Sequence, residues 1–161
     1  MSHYYLSGTG SSRAPRTAAV HAWIRDIIRE RLQEHGDLLM VVSGGAMGWD
    51  AALAYCATME GVPYKLVLPS KDYGSFYWKE SPGSFRRMVN LAASVEYVCA
   101  SHIGSNGRPG GANFDRNKAM VDMAHEFLVY DVGSPGTRHA VSLIRLAGKP
   151  MIEFPVSACW D

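Results

Sequence analysis

The sequence predicts an α/β fold, a doubly wound and mainly parallel sheet of about six strands with a Rossmann-like layout. Short apolar runs alternate with longer segments of helical periodicity along all 161 residues. The run 38–42 is continuously apolar, which is typical of a strand buried on both faces of a parallel sheet. Glycine-rich segments follow several of these runs, where doubly wound sheets carry their ligand-binding turns. We therefore expect a single domain over 1–161, with the strand order 3-2-1-4-5-6.

The predicted elements follow one another in a regular order. The first strand is predicted at 3–6 and ends in the glycine–serine loop 7–12. Helix 16–35 follows, because its apolar residues recur with helical spacing, and Gly36 ends it. The other strands are predicted at 38–42, 64–68, 95–100, 126–130 and 151–154, the other helices at 48–59, 81–93, 113–124 and 138–147, and long loops at 70–80 and 101–112.

Composition argues against several classes of protein. Lys and Arg number 16 and Asp and Glu 15, so a net charge of +1 supplies no general attraction to nucleic acid or to an anionic membrane. No run of about 18 apolar residues is present and no secretory signal precedes the first strand, so we expect a cytoplasmic protein without membrane contact. We expect free thiols at Cys56, Cys99 and Cys159, and no metal or cofactor is predicted, because no Cys/His spacing fits a metal site.

Three glycine-bearing loops, at 7–12, 43–48 and 133–137, each follow a predicted strand and precede a helix. Backbone amides at a helix N-terminus attract phosphate and other anions, although such turns also use glycine for purely conformational reasons. Neither a GxxxxGK[ST] motif nor a complete GxGxxG after the first strand is present, which disfavours ATP hydrolysis and NAD binding. The candidate ligand-binding residues of these loops and the adjoining helix are Gly8, Thr9, Ser43, Gly44, Gly45, Met47, Gly48, Asp50, Gly133, Ser134, Gly136 and Thr137.

The helix after loop 43–48, a further helix start and an aromatic loop carry side chains suited to a nucleotide. Asp50 lies in a first helical turn, where the helix dipole favours a carboxylate, or it bonds a ribose or base. In the segment 113–120, Arg116 suits a phosphate, and Asn113 and Asn117 suit an amide or base contact; the alternative is a solvated first turn. The aromatic loop 73–78 either stacks on a base or covers the core or a subunit interface.

The motifs SGGAMGWD, GANFDRNKAM and VGSPGTRHAV, in this order, resemble the SLOG superfamily over residues 3–154. This superfamily includes the DNA-processing protein of natural transformation, the LOG-type phosphoribohydrolases, lysine-decarboxylase-like proteins, and small bacterial and phage proteins. The resemblance implies a Rossmann-like domain with a nucleotide-type ligand over the glycine loops. It also implies, together with the aromatic loop, a homo-oligomer, which we expect to be a dimer or larger.

The resemblance leaves the reaction open. Aligned on Gly136 and Thr137, the position of the catalytic glutamate of LOG-type hydrolases is Ala140, whereas Arg116 matches the family arginine. Asp131 is the first candidate to replace the missing carboxylate, and Asp115 and Asp50 are the others. We therefore expect binding of a nucleotide or an ADP-ribose-like derivative, in sensing or sequestration. The alternatives are cleavage of the N-glycosidic bond of nucleoside monophosphates, with Arg116 and Asp131 catalytic, and single-stranded DNA binding. The residues expected to contact DNA, besides the aromatic loop, are Arg13, Arg16 and Arg108.

Overall fold

The computed structural model describes residues 2–156, which form a six-stranded sheet with the order β4-β3-β2-β1-β5-β6. All five strand pairings are parallel, so the predicted doubly wound α/β architecture is confirmed. The strands are β1 (Tyr4–Gly10), β2 (Leu39–Ser43), β3 (Tyr64–Leu68), β4 (Ser94–Tyr97), β5 (Glu126–Tyr130) and β6 (Met151–Glu153). The helices are α1 (Ala18–His35), α2 (Trp49–Met59), α3 (Tyr73–Tyr77), α4 (Pro82–Leu91), α5 (Gly111–Met123) and α6 (Pro135–Ala147).

The predicted strand order is wrong in the position of β4. This strand pairs with β3 at the edge of the sheet, with Leu66 opposite Val95, whereas the prediction placed it beside β1. The reason is that α4 packs against α2, on the same face of the sheet as the earlier helices, so the chain continues outward from β3. It crosses to the other face only with α5, and β5 then pairs with β1. The switch point of the sheet therefore lies between β1 and β5.

Several boundaries also differ from the prediction. Strand β1 continues to Gly10, because residues 6–10 pair with β5 throughout, so its glycines belong to the strand and not to a loop. Helix α3 lies within the predicted aromatic loop, and α5 and α6 each begin a few residues earlier than expected. Helix α1 begins at Ala18 because the Thr17 hydroxyl accepts a hydrogen bond from the N–H of Val20 at 3.2 Å.

Two apolar layers hold the helices on the sheet. The larger layer lies under α1, α2 and α4 and includes the completely buried Trp49, Leu53 and Ile28. On the opposite face, Phe127 and Ile144 belong to the layer between the sheet and the pair α5 and α6. Cys56 and Cys99 are free, whereas Cys159 lies outside the described residues. Among residues 2–156, no helix combines the length and the apolar character needed to cross a membrane.

A buried ion pair lies at the amino end of β5, at the opposite end of the strands from the carboxyl ends. Arg31 of α1 donates to both carboxylate oxygens of Glu126, at 2.7 and 2.8 Å, and the Tyr4 hydroxyl donates to the same carboxylate at 3.1 Å. Burial opposes ionisation of Glu126, but the bonds and charge of Arg31, with the Tyr4 bond, outweigh burial and hold its pKa below the usual range.

We expect Glu126→Gln to lower the free energy of unfolding by about 3 kcal/mol at pH 7, because it leaves the largely buried Arg31 without this anionic partner. Since the folded-state pKa of Glu126 is below its ordinary value of 4.5, the contribution of Glu126 to the free energy of unfolding is fully present above pH 4.5. The contribution is lost as the pH falls through the folded-state pKa. Urea unfolding of the wild type and of Glu126→Gln gives the loss of unfolding free energy at pH 7 and at pH 3. The loss at pH 3 should be smaller.

Glu34→Gln is the matched control, because this carboxylate is 57% exposed and lies 3.5 Å from the same arginine. An exposed pair of this kind contributes at most about 1 kcal/mol. Equal losses of stability in the two variants would contradict the role assigned to Glu126.

Candidate functional site

A cleft of about 380 Å³ lies at the carboxyl ends of β1 and β5, beside the switch point of the sheet. Its walls are formed by the end of β1, the aromatic helix α3, and the first turns of α5 and α6. Nine of the residues that sequence reasoning selected line it: Gly8, Thr9, Asp50, Asn113, Arg116, Asn117, Ser134, Gly136 and Thr137. The topology therefore brings three separate motifs together in one cavity, where ligands of doubly wound sheets bind.

Other selected residues do not line the cleft, and most of them shape the segment between β2 and α2. The Ser43 hydroxyl is completely buried and donates to the carbonyl of Asp50 at 2.8 Å. The carbonyl of Gly45 accepts a hydrogen bond from the Trp78 indole at 2.8 Å, and Gly45 has a φ of 73°. The selected residues outside the cleft lining are Ser43, Gly44, Gly45, Met47, Gly48, Asp131 and Gly133.

Arg116 lines the cleft but is 7% exposed, and its guanidinium is largely occupied by the protein. Its Nε donates to the amide oxygen of Asn117 at 3.0 Å, and its Nη1 donates to the carbonyl of Gly44. A Cβ at Gly44 would lie 2.7 Å from that Nη1 and 2.8 Å from a carboxylate oxygen of Asp50. Glycine is therefore needed at position 44 so that the arginine and the carboxylate can both approach the backbone.

Two buried ionisable groups face the cleft beside Arg116. Burial raises the pKa of Asp50, and the charge of Arg116 and the N–H of Ala46, which donates at 3.2 Å, oppose this rise only in part. Burial likewise raises the pKa of Tyr73 to about 12, so its hydroxyl stays protonated at neutral pH. The cleft therefore holds a carboxyl group and a hydroxyl group with unusually high proton affinity.

The start of α6 forms the wall nearest to β1. The Ser134 hydroxyl donates to the hydroxyl of Thr137 at 3.0 Å, and the Asn117 amide donates to the carbonyl of Gly136 at 3.2 Å. Asp131 does not face the cleft; its carboxylate accepts a hydrogen bond from the N–H of Gly133 at 2.8 Å. This contact is a local turn, and it gives Asp131 a structural partner in place of a ligand.

The opposite wall is aromatic, and sequence reasoning only partly identified it. Tyr73 and Tyr77 of α3 stack with ring centroids 4.8 Å apart, and the Tyr77 hydroxyl accepts a hydrogen bond from the Asn113 amide at 3.0 Å. Phe114 lines the cleft and contacts the ring of His139 edge to face at 4.7 Å. Gly10, Ser12, Ala46, Tyr73, Tyr77, Phe114 and Met120 also line the cleft and lie in segments that the sequence analysis put forward without choosing these residues individually. The lining residues that it did not put forward at all are Pro109 and Gly110.

One signal could have found part of this wall. The lining residues of α5 include positions 113, 116, 117 and 120, which is the i, i+3, i+4, i+7 spacing of a single helix face. Choosing residues by that face would have added Met120 to the polar residues. Phe114 also lines the cleft, and it lies next to this face in the sequence.

The loop before α5 is anchored at several points. The Asp115 carboxylate accepts hydrogen bonds from the Ser105 hydroxyl at 2.6 Å and the Ser105 N–H at 2.7 Å, and these lower the pKa of Asp115. Asp72 accepts a hydrogen bond from the N–H of His102 at 3.2 Å. The anchored loop places Pro109 at the cleft. Within residues 2–156, no group of three His, Cys, Asp or Glu side chains is arranged to hold a metal.

We expect Arg116→Lys to lower the free energy of unfolding by about 2 kcal/mol although the charge is kept. One ammonium group cannot serve both the Gly44 carbonyl and the Asn117 amide in the geometry of a guanidinium. Urea unfolding at neutral pH measures the loss, with Arg108→Lys as the control, because Arg108 is exposed. A loss of the same size in the control, or no loss in Arg116→Lys, would contradict the structural role of Arg116.

No protein-family model and no curated protein matches the sequence. The fold matches DNA processing protein A (DprA) of Streptococcus pneumoniae with a TM-score of 0.67 at 15% identity, over 95% of this chain and 50% of that one. It matches the Helicobacter pylori DprA, described as having a single-stranded DNA binding mode, with a TM-score of 0.67 at 19% identity, over 96% and 66%. It also matches a protein named TM1055 with a TM-score of 0.57 at 17% identity, over 92% and 72%.

The chain thus spans about half of the first DprA and about two thirds of the second. At these identities the likeness concerns the fold, and the order of strands and helices carries it. The Rossmann-like fold that the resemblance implied is confirmed, and this chain shares it with both DprA proteins and with TM1055.

Proposed function

We propose that the cleft binds a nucleotide or a nucleotide derivative such as an ADP-ribose-like molecule, for sensing or sequestration. One observation carries the proposal: a single cavity joins the first turns of two helices, at Gly110 and Ser134, to an aromatic wall. Its volume of about 380 Å³ is within the range of small-molecule sites. The first part of the cavity suits a phosphate, and the second suits a base.

The phosphate would lie between the end of β1 and the start of α6. The side chain of Ser134 does not cap α6, and its hydroxyl donates to the hydroxyl of Thr137. The N–H groups of the first turn are therefore not bonded to that side chain, and the helix dipole adds a partial positive charge there. Thr9 and Ser12 lie on the facing wall, where a hydroxyl group can donate to a phosphate oxygen.

The base would lie between Tyr77 and Phe114. These rings are 44% and 39% exposed and both line the cleft, so stacking on a base would remove apolar surface from water. Asn113 lies on the face of α5 that lines the cleft, and its amide oxygen suits the amino edge of a base, whereas the Asn117 amide is already bonded to Arg116 and to Gly136. An aromatic wall with amide groups beside it fits a nucleotide better than it fits a sugar phosphate alone.

Binding without hydrolysis is favoured because the carboxylate position of LOG-type hydrolases holds a methyl group. Ala140 is 3% exposed and lies under the floor of the cleft, beside Gly8 and Thr9. A homo-oligomer stays a prediction from the resemblance and from the exposed aromatic residues of α3.

We expect Phe114→Ala and Tyr77→Ala each to weaken the binding of adenosine monophosphate about tenfold, because stacking contributes about 1–3 kcal/mol per base. Binding of ribose 5-phosphate should change less than twofold, since it has no base to stack. Isothermal titration of the two ligands into each variant measures both effects.

Phe76→Ala is the matched control, because Phe76 belongs to the same short helix and is 51% exposed but does not line the cleft. If Phe76→Ala weakened nucleotide binding as much as Tyr77→Ala does, the base would have to bind elsewhere. If neither nucleotides nor ADP-ribose bound to the wild-type protein, the proposal would be refuted.

Hydrolysis of the N-glycosidic bond is a second candidate, which one observation favours. Of the three carboxylates considered as substitutes, Asp50 lines the cleft, whereas Asp115 is bonded to Ser105 and Asp131 to Gly133. Burial raises the pKa of Asp50, which suits a proton donor to a leaving base.

If the protein is a hydrolase, Asp50→Asn should lower the release of free adenine from adenosine monophosphate at least 100-fold while nucleotide binding is retained. Chromatography of the products measures the release. Asp131→Asn is the control, because its carboxylate does not face the cleft, and it should keep nearly full activity. If the wild-type protein released no free adenine, hydrolysis would be excluded and binding would remain the proposed function.

Single-stranded DNA is the third candidate, because one of the DprA proteins with this fold is described as binding it. Exposed arginines at 13, 16 and 108 are the residues that would contact its phosphates. The two kinds of ligand differ in salt dependence: contacts to several DNA phosphates release counterions, so affinity falls steeply with salt. A single nucleotide held by backbone amides should show a much shallower dependence.

A further inference from the structure

A second cavity, of about 480 Å³, lies between α2 and α4, on the opposite side of α2 from the sheet switch point. It shares no lining residue with the nucleotide cleft. The groove exists because α2 presents small side chains there, Ala51 and Ala54. Its rim carries exposed apolar side chains: Tyr55, Met59 and Leu91 are 51%, 49% and 55% exposed. An open apolar groove of this size marks a binding site.

The polar atoms of the groove floor point away from it. The Trp78 indole donates to the carbonyl of Gly45 at 2.8 Å, and the Tyr64 hydroxyl donates to the carbonyl of Met88. Trp78 and Tyr64 are both about 2% exposed. The floor therefore offers rings and methyl groups, and an occupant gains from burying apolar surface against it.

The charged groups that line the groove are all cations or potential cations. Arg16 and Arg87 are exposed, and within residues 2–156 neither side chain forms an ion pair or a hydrogen bond. Burial, with the charges of Arg16 and Arg25, lowers the pKa of His21, which lies in the same wall. No Asp or Glu lines the groove. An occupant with a negative charge would thus meet two arginines that have no other partner.

This charge pattern also argues against a second copy of the chain. A symmetric dimer through the groove would bring Arg16 and Arg87 of both copies together without a carboxylate among the lining residues to compensate them. We infer that the groove binds a free amphipathic anion, with an apolar chain or ring on Trp78 and Met88 and one anionic group at Arg87 or Arg16. This inference does not depend on the function proposed for the cleft.

Decanoate is the probe, measured by isothermal titration below its micelle concentration. We expect saturable binding of one molecule per chain, with affinity rising about fourfold for each methylene from octanoate to dodecanoate. Decan-1-ol should bind at least fivefold more weakly, and acetate should not bind. Arg87→Glu and Arg16→Glu are both made, and the one that reverses the charge next to the anion should weaken decanoate binding at least tenfold.

Arg86→Glu is the matched control, because it changes the net charge equally, and Arg86 is exposed but does not line the groove. It should leave the affinity within twofold of the wild type. Thermal unfolding verifies that the variants fold. Equal affinity for decanoate and decanol, no weakening beyond the control in either Arg87→Glu or Arg16→Glu, or no saturable binding would overturn the inference. A dimer in sedimentation equilibrium that the Leu91→Lys substitution dissociates would also overturn the inference.

Discussion

The contact on which the rest of the structure depends is made by Trp49, at the start of α2. Its completely buried indole donates to the carbonyl of Leu128 in β5 at 2.9 Å, passing across β1 to do so. This is possible only because β1 carries glycine at two positions that face α2. A Cβ at Gly10 would lie 2.6 Å from Cγ of the indole, and a Cβ at Gly8 would lie 2.7 Å from the Leu128 carbonyl. The packing of Trp49 against β1 therefore requires glycine at positions 8 and 10.

The position of Trp49 determines the geometry of the cleft. With the start of α2 held over β1, the segment 44–50 turns back so that Asp50 faces the cavity, and the carbonyl of Gly44 points toward α5. Arg116 bonds to that carbonyl and to Asn117, and Asn117 in turn bonds to the start of α6. A continuous series of contacts thus connects the core under α2 with the helix terminus where we place the phosphate. Changes in the packing of Trp49 should therefore be felt at the site.

Hydrophobic patterning was sufficient to predict most of the elements, since β2, β3 and β5 are buried runs that alternate with amphipathic helices. The strand order was not predictable, because it depends on the face against which α4 packs, and its apolar residues do not specify that face. The extent of β1 depends on its pairing with β5, a contact distant in sequence. For the site, a glycine that makes room for a ligand and one that makes room for a side chain look the same in a sequence. Gly44, which lies against Arg116, is of the second kind.

The burial of Arg116 changes what kind of ligand the cleft suits. An arginine whose Nε and Nη1 already donate to the protein offers little to a phosphate, so attraction must come mainly from backbone N–H groups and hydroxyls. Such groups act at hydrogen-bonding distance and favour one or two phosphates held in a defined place. They do not attract a long polyanion from a distance, and a net charge of +1 adds little to that attraction. We therefore expect the cleft to bind a small nucleotide in preference to a strand of DNA, although the fold is shared with a protein described as binding single-stranded DNA.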